Sequence, residues 1–204
     1  VSKLPLPLIL ASTSPYRRDL LARLNLTFQI CKPEVDESIR DGESAETLVK
    51  RLSIAKARAA RQHFSRGLVI GSDQACVIDN KIYGKPGSYD NALKQLQHAS
   101  GRNMRFLTGL CLYDIERDRH QSLVEPFEVV LRKLTDQQID YYLKTEQPYQ
   151  CAGSFKSEGL GIALLESLQG NDLHSLIGLP LIQLVRLLDS QGVDVLTTKS
   201  DMVP

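Results

Sequence analysis

The residues placed to do chemistry are a pair of arginines, two lysines and a few carboxylates. Arg17 and Arg18 fall in the run ASTSPYRRDLL. Ser14 reads as an N-cap and Pro15 as the first helical residue. Both arginines then occupy the first turn, at the positive end of the helix dipole, where a cation is disfavoured by about a few tenths of a kcal/mol. Either they are surface charges offset by Asp19, or they await an anion. A helix N-terminus offers free N–H groups, and a guanidinium fork suits phosphate. The serines of Ser12-Thr13-Ser14 add hydroxyl donors.

Lys56 sits in an apolar stripe formed by Ala45, Leu48, Val49, Leu52, Ala59 and Ala60. It either snorkels to the edge or reaches a cleft and meets an anion. Lys85, in Gly84-Lys85-Pro86, is either a turn lysine or a third phosphate ligand. No G-x-x-x-x-G-K-[ST] phosphate loop is present. Asp73 ends the apolar run LVIGSD, where open α/β sheets place active-site residues. Such a carboxylate caps backbone, holds a divalent cation or takes a proton from water. Glu34, Asp36 and Glu37 form an acidic loop, either solvated or part of the same site. Four cations with several carboxylates suggest a metal–polyphosphate site.

The elements that must position these residues follow from pattern. Leu8 to Leu10 reads as a buried strand, and the helix after Pro15 carries Leu20, Leu21 and Leu24 on one face. Thr27 to Cys31 is a second strand. Ser44 starts a long helix to about Phe64, with Lys50, Arg51, Arg58 and Arg61 as its solvated face. Leu68 to Gln74 is an apolar strand with a polar end. Ala75–Ile78 and Lys81–Tyr83 flank Asp79-Asn80, a hairpin signal. Residues 89 to 99 look helical.

Arg105–Asp114 and Ser122–Leu134 are strand patterns joined by a charged turn. Thr135 caps a helix to about Leu143, with Gln138 at the capping-box position. CAGSFKSEGLG reads as loop, Ala163–Leu168 as a strand and Pro180–Leu188 as an amphipathic helix. Early alternation of strand and helix, then locally paired strands, predicts an α/β fold with a mixed sheet.

The 204 residues, 42% hydrophobic and 24% charged, describe an ordinary globular chain, and a net charge of +1 gives no basic field for nucleic acid. No apolar run approaches the ~20 residues of a membrane span. The start VSKLPLPLILAS reads as too short and proline-broken for a signal peptide. The four cysteines, at 31, 76, 111 and 151, lack zinc-knuckle spacing; Cys31, Cys76 and Cys111 lie in apolar runs and read as buried free thiols, which fits a reducing cytoplasm. The tail TTKSDMVP reads as frayed.

These residues lie in motifs of a known family. The chain resembles the Maf family of nucleoside triphosphate pyrophosphatases through LILASTSPYRRDLL, PEVDES, RLSIAKA, IGSDQ, GKP, TGL, EPF, CAGSFKSEGLG and GLPL. They run in family order from residue 8 to about 182. The resemblance implies a Maf/ITPase-like α/β fold: a mixed, twisted sheet with flanking helices, and two lobes around a central cleft. One domain would span 1–204, with its core at about 8–190. It also implies hydrolysis of a nucleoside triphosphate to the monophosphate and pyrophosphate with Mg²⁺ or Mn²⁺. Carried over by motif, Asp73 would accept the proton, and Glu37 would assist at the metal and the water, so that Asp73 and Glu37 are the metal ligands. Ser12, Arg17, Arg18, Lys56 and Lys85 would grip the phosphates.

Gln74 after the aspartate and Glu158 in SFKSEG resemble the subfamily acting on 7-methyl-GTP. Relatives acting on dTTP and UTP usually carry threonine and glutamine at those positions. That subfamily usually has tryptophan where this chain has Tyr16. The charged 7-methylguanine ring would attract an aromatic face by about 0.5–2 kcal/mol. Glu158 could accept hydrogen bonds from the guanine N1–H and amino group, a donor pair that uracil lacks. The expected partner is a small nucleotide, with no membrane and no stable nucleic acid, and a homodimer is a family expectation. The alternatives are a dTTP/UTP pyrophosphatase or a non-catalytic nucleotide-binding regulator of cell division.

Overall fold

The computed structural model describes residues 6–197. The tail expectation therefore falls, apart from Thr197, outside the described residues.

The chain opens with β1 (Leu8–Ala11), buried along its whole length, then α1 (Pro15–Ala22) and β2 (Phe28–Cys31). Ser14 caps α1 by accepting from the Arg17 N–H, with Pro15 in the first turn. The helix ends at Ala22, before the expected Leu24, and Asn25 turns the chain at a positive φ of 54°. Ser44 caps α2 (Ala45–Ala59), which tightens into a 3₁₀ turn at Ala60–Gln62.

Next come β3 (Leu68–Ile78), β4 (Lys81–Tyr83), α3 (Tyr89–Ala99), β5 (Asn103–Asp114) and β6 (Arg119–Leu131). The chain continues through α4 (Asp136–Glu146), β7 (Leu165–Gly170), α5 (Leu173–Ile177) and α6 (Leu181–Asp189). Asp79 and Asn80, both at positive φ, make the tight turn between β3 and β4 that their types predict. Thr135 and Gln138 form the expected capping box on α4.

The strands make one mixed sheet in the order β2-β1-β3-β5-β6-β7, with β4 paired to β3. β1 runs parallel to β2 and β3, whereas β3–β4 and β6–β7 are antiparallel. This is the α/β mixed sheet expected from the element pattern.

Several elements differ from expectation. The strand expected at Ser122–Leu134 runs Arg119–Leu131, and the loop expected at CAGSFKSEGLG holds a 3₁₀ turn at Ala152–Ser154. β3 is one eleven-residue strand, so Asp73 lies within it and not at its end. The hairpin carries the ladder on through residues that read as a separate strand. β7 starts two residues later than expected because Ala163 and Leu164 close a 3₁₀ turn. α5 was not expected, because five residues are too few to show a helical period.

The chain divides into two compact units. The first holds the residues up to Asp73, Thr108–Glu125 and the residues from Gly178; the second holds Gln74–Leu107 and Pro126–Ile177. The core of the first gathers Ile9, Val69, Cys111 and Tyr113 beneath Ala57 and Ala60. The core of the second gathers Leu96, Met104, Phe106, Phe127, Tyr142 and Phe155. Each large side chain buried this way contributes about 1.5–3 kcal/mol.

Two glycines set how closely α2 lies on the sheet. A Cβ at Gly71 of β3 would collide with the Ser53 carbonyl and the Ala57 nitrogen. One at Gly109 of β5 would collide with the Val49 carbonyl. The helix backbone therefore rests directly on two strands, a contact that no residue with a side chain permits.

Candidate active site

That contact brings Lys56 onto Asp73. Lys56 lies on the buried face of α2, one residue before Ala57, which packs on Gly71. Its ammonium Nζ donates to Asp73 Oδ1 at 2.6 Å and lies 2.9 Å from Glu37 Oε1. Lys56 is 6% exposed and Asp73 9%, while Glu37 is open to solvent. One buried cation thus joins two carboxylates from distant parts of the sequence. Of the two readings for Lys56, the lysine reaches inward and does not snorkel.

Arg17 completes this group. Arg17 is half-buried as a residue, and its guanidinium donates from Nε to the Gly178 carbonyl at 2.8 Å. Burial pulls its pKa below the ordinary arginine value, and the carboxylates of Asp73 and Glu37 pull it back up. An arginine at the positive end of α1 is thus offset by two carboxylates. Ser12 is buried, and its Oγ accepts from the Ser14 N–H at 3.1 Å, leaving its own proton to donate. Tyr16 is half-buried in the first turn of the same helix.

Arg18 behaves differently from Arg17. It is exposed and pairs with its neighbour Asp19 at 2.8 Å. That local compensation is the alternative its sequence context allowed.

The Glu37 loop has an anchor that pattern reading missed. Arg51, expected on the solvated face of α2, grips Glu43 through Nε at 2.6 Å and Nη2 at 2.7 Å. Its Nη2 also donates to the carbonyl of Ser38, next to Glu37, at 2.9 Å. The Arg51 fork, with a hydrogen bond from the Arg40 N–H, draws the Glu43 carboxyl down to about 2. Asp36 accepts from the Ser38 N–H, which lowers its pKa as well. The sequence signal was faint: a lone acid before an N-cap serine and a basic residue eight positions on.

The remaining predicted residues, Gln74, Lys85 and Glu158, belong to the second unit. Gln74 donates from Nε2 to the carbonyls of Ser175 and Leu176, at 2.8 and 3.1 Å. Lys85 is exposed in a loop stitched to the CAGSFKSEG segment. Gly84 accepts from the Gly153 N–H, and the Gly87 N–H donates to Tyr149. Glu158 is exposed in that segment, which Glu146 braces by pairing with Lys156 at 2.9 Å and accepting from the Leu160 N–H. The Leu160 N–H and then the Lys156 ammonium hold the Glu146 carboxyl below its usual range. Neither Glu146 nor Tyr142, which accepts from the Lys156 N–H, stood out in the sequence.

Two carboxylates beside a buried ammonium and a guanidinium can take up a proton and bind an oxyanion. Among the described residues no three His, Cys, Asp or Glu side chains gather as a metal centre. Glu37 and Asp73 still suit a hard divalent cation, because Mg²⁺ is commonly held by one or two carboxylates with substrate phosphates completing its shell.

A mixed open sheet flanked by helices, carrying this cation–carboxylate cluster, defines an α/β protein. The chain belongs to the Maf family: the family model described as Maf-like protein matches residues 7–191. A relative from Pseudoalteromonas translucida, named 7-methyl-GTP pyrophosphatase, is 55% identical over 195 residues, covering 96% of each chain. Relatives with the same name from Nitrosococcus oceani and Colwellia psychrerythraea are 53% and 51% identical, each covering 96% of this chain and 98% of its own. The solved structure of the Staphylococcus aureus Ham1 protein aligns with 91% of this chain and 99% of its own, at TM-score 0.52 and 12% identity. That likeness concerns the fold. No helix among the described residues is long and apolar enough to cross a membrane.

Proposed function

We propose that this chain is a nucleoside triphosphate pyrophosphatase that hydrolyses 7-methyl-GTP to 7-methyl-GMP and pyrophosphate. The observation that carries the reading is Lys56, buried and bonded to Asp73 and Glu37, with Arg17 beside them. The identity of about half the residues with relatives named for that activity supports the same reading.

Asp73 acts as the base. Lys56 holds Oδ1 and so orients the carboxylate, whose other oxygen takes the proton from the attacking water. The water oxygen bonds to the α-phosphorus, the bond to the bridging oxygen breaks, and pyrophosphate leaves with that electron pair. Arg17 and Lys56 offset the charge that gathers on the phosphate oxygens, with Ser12, Arg18 and Lys85 as further donors. Glu37 and Asp73 would hold Mg²⁺ or Mn²⁺, which supplies further neutralisation of phosphate charge when bound.

Base choice rests on Tyr16, Gln74 and Glu158. The Tyr16 ring offers a face to a cationic purine. Glu158 accepts from guanine donors, and Gln74 acts through the backbone carbonyls it holds. The cytoplasm, where nucleotides are made, is the compartment that suits this substrate.

A panel of 7-methyl-GTP, GTP, dTTP and UTP tests the proposal by pyrophosphate release with and without divalent metal. Metal-dependent release with preference for 7-methyl-GTP is expected. Preference for dTTP or UTP would correct the substrate, and nucleotide binding without release would overturn the activity.

A further inference from the structure

The Gly178 carbonyl serves two side chains of the first unit. Arg17 Nε donates to it at 2.8 Å and Ser72 Oγ at 2.9 Å, so both of its lone pairs are used. Ser72 has no solvent exposure and immediately precedes Asp73 in β3. Gly178 has φ +122°, and a Cβ there would come within 3.4 Å of Arg17 Nε. The backbone at this point is thus shaped to bring its oxygen against the guanidinium, with Ser72 holding it from the other side. An arginine fixed through Nε keeps its two terminal amino groups, the pair that meets two oxygens of one phosphate.

We propose that Ser72 is a positioning residue for the substrate's phosphates: its hydroxyl fixes the Gly178 carbonyl, and that carbonyl aims the Arg17 guanidinium. The inference rests on the phosphate-binding reading of Arg17. Ser72 itself touches no substrate. Removing its hydroxyl leaves Gly178 still bonded to Arg17, so no buried group is orphaned and the fold survives. What is lost is the alignment of the fork, felt by any polyphosphate.

Steady-state kinetics on the full chain with 7-methyl-GTP test this, alongside inhibition by inorganic tripolyphosphate. Ser72→Ala is expected to raise KM and the tripolyphosphate inhibition constant together, by about 2–10-fold, the size of one hydrogen bond. kcat should stay close to the parent value. In an Arg17→Ala background the same substitution should leave KM unchanged, because its route of action is gone. Gly178→Ala, which displaces the carbonyl through its backbone, should repeat both results and serves if Ser72→Ala folds poorly. An unchanged KM in both variants, or an equal KM rise with and without Arg17, would overturn the inference. If Arg17→Ala itself leaves KM and inhibition unaltered, the phosphate-binding reading fails first and takes this proposal with it.

Discussion

Lys56 Nζ stands 2.6 Å from Asp73 Oδ1, and both side chains are almost wholly withdrawn from solvent. An ion pair so placed is sensitive to which partner is removed. Lys56→Met leaves Asp73 and Glu37 facing each other without their cation, which should destabilise the fold by about 3 kcal/mol. Asp73→Asn leaves Lys56 its bond to Glu37, so a smaller loss of about 1 kcal/mol is expected, with turnover reduced by several orders of magnitude. Urea denaturation and pyrophosphate release measure the two effects. Normal turnover in Asp73→Asn would remove it as the base.

The two adjacent arginines should separate in kinetics. Arg17 is already turned onto Gly178, while Arg18 must leave Asp19 to reach an anion. Arg17→Ala should raise KM by about tenfold or more, the loss of a charge-assisted bond, and Arg18→Ala by about twofold. The exposed Arg18–Asp19 pair contributes about 0–1 kcal/mol, so thermal stability should hardly change in Arg18→Ala. Equal KM effects would show that Arg18 grips the phosphates as firmly as Arg17.

Gly71→Ala and Gly109→Ala should each push α2 off the sheet. Overpacking of this kind costs typically about 1–3 kcal/mol, and backbone atoms cannot step aside as a side-chain tip can. Activity should fall further than stability, because displacing α2 draws Lys56 away from Asp73. Calorimetry beside turnover tests this; an unshifted melting point would mean that the helix–sheet contact is looser than described.

Glu43 supplies an acid dependence. Its folded carboxyl lies at about 2, drawn below the ordinary glutamate value of 4.5 by Arg51 and the Arg40 N–H. A depressed carboxylate contributes stability that is complete above the unfolded value and is lost as pH falls toward the folded one. The Glu37 loop should therefore loosen between about pH 4.5 and 2. In Glu43→Gln the acid dependence of stability across that window should be shallower than in the parent. Identical pH–stability curves would refute this.

Glu125 is buried, with Oε2 accepting from Gln183 at 3.0 Å and, among the described residues, no hydrogen-bond partner at Oε1. A buried charge served on one oxygen alone is costly. Glu125→Gln keeps the shape and the acceptor for Gln183 while removing the charge. It should stabilise the protein by about 1 kcal/mol, read as a raised urea midpoint. A lowered midpoint would show that the charge itself is needed.

Much of the local structure was legible because it is local. Ser14, Ser44 and Thr135 each cap the helix that their types announce, and Asp79-Asn80 turns its hairpin. The odd placement of Lys56 in an apolar stripe was visible too, since periodicity reports burial. Where the pattern failed, it failed on reach. Arg51 read as one more solvated charge because nothing in a helical period names a partner eight residues upstream.

The sequence by itself determined the caps, the mixed sheet, the family motifs and the placement of a lysine in an apolar helical stripe. Only the tertiary structure decided what that lysine meets. Glu37, Lys56 and Asp73 come together because Gly71 and Gly109 admit the α2 backbone onto the sheet. Arg17 reaches Gly178 across a separation of 161 residues. Hydrogen bonds and ion pairs act over a few ångströms in space, whatever the distance along the chain, so their partners exist only once the chain has folded.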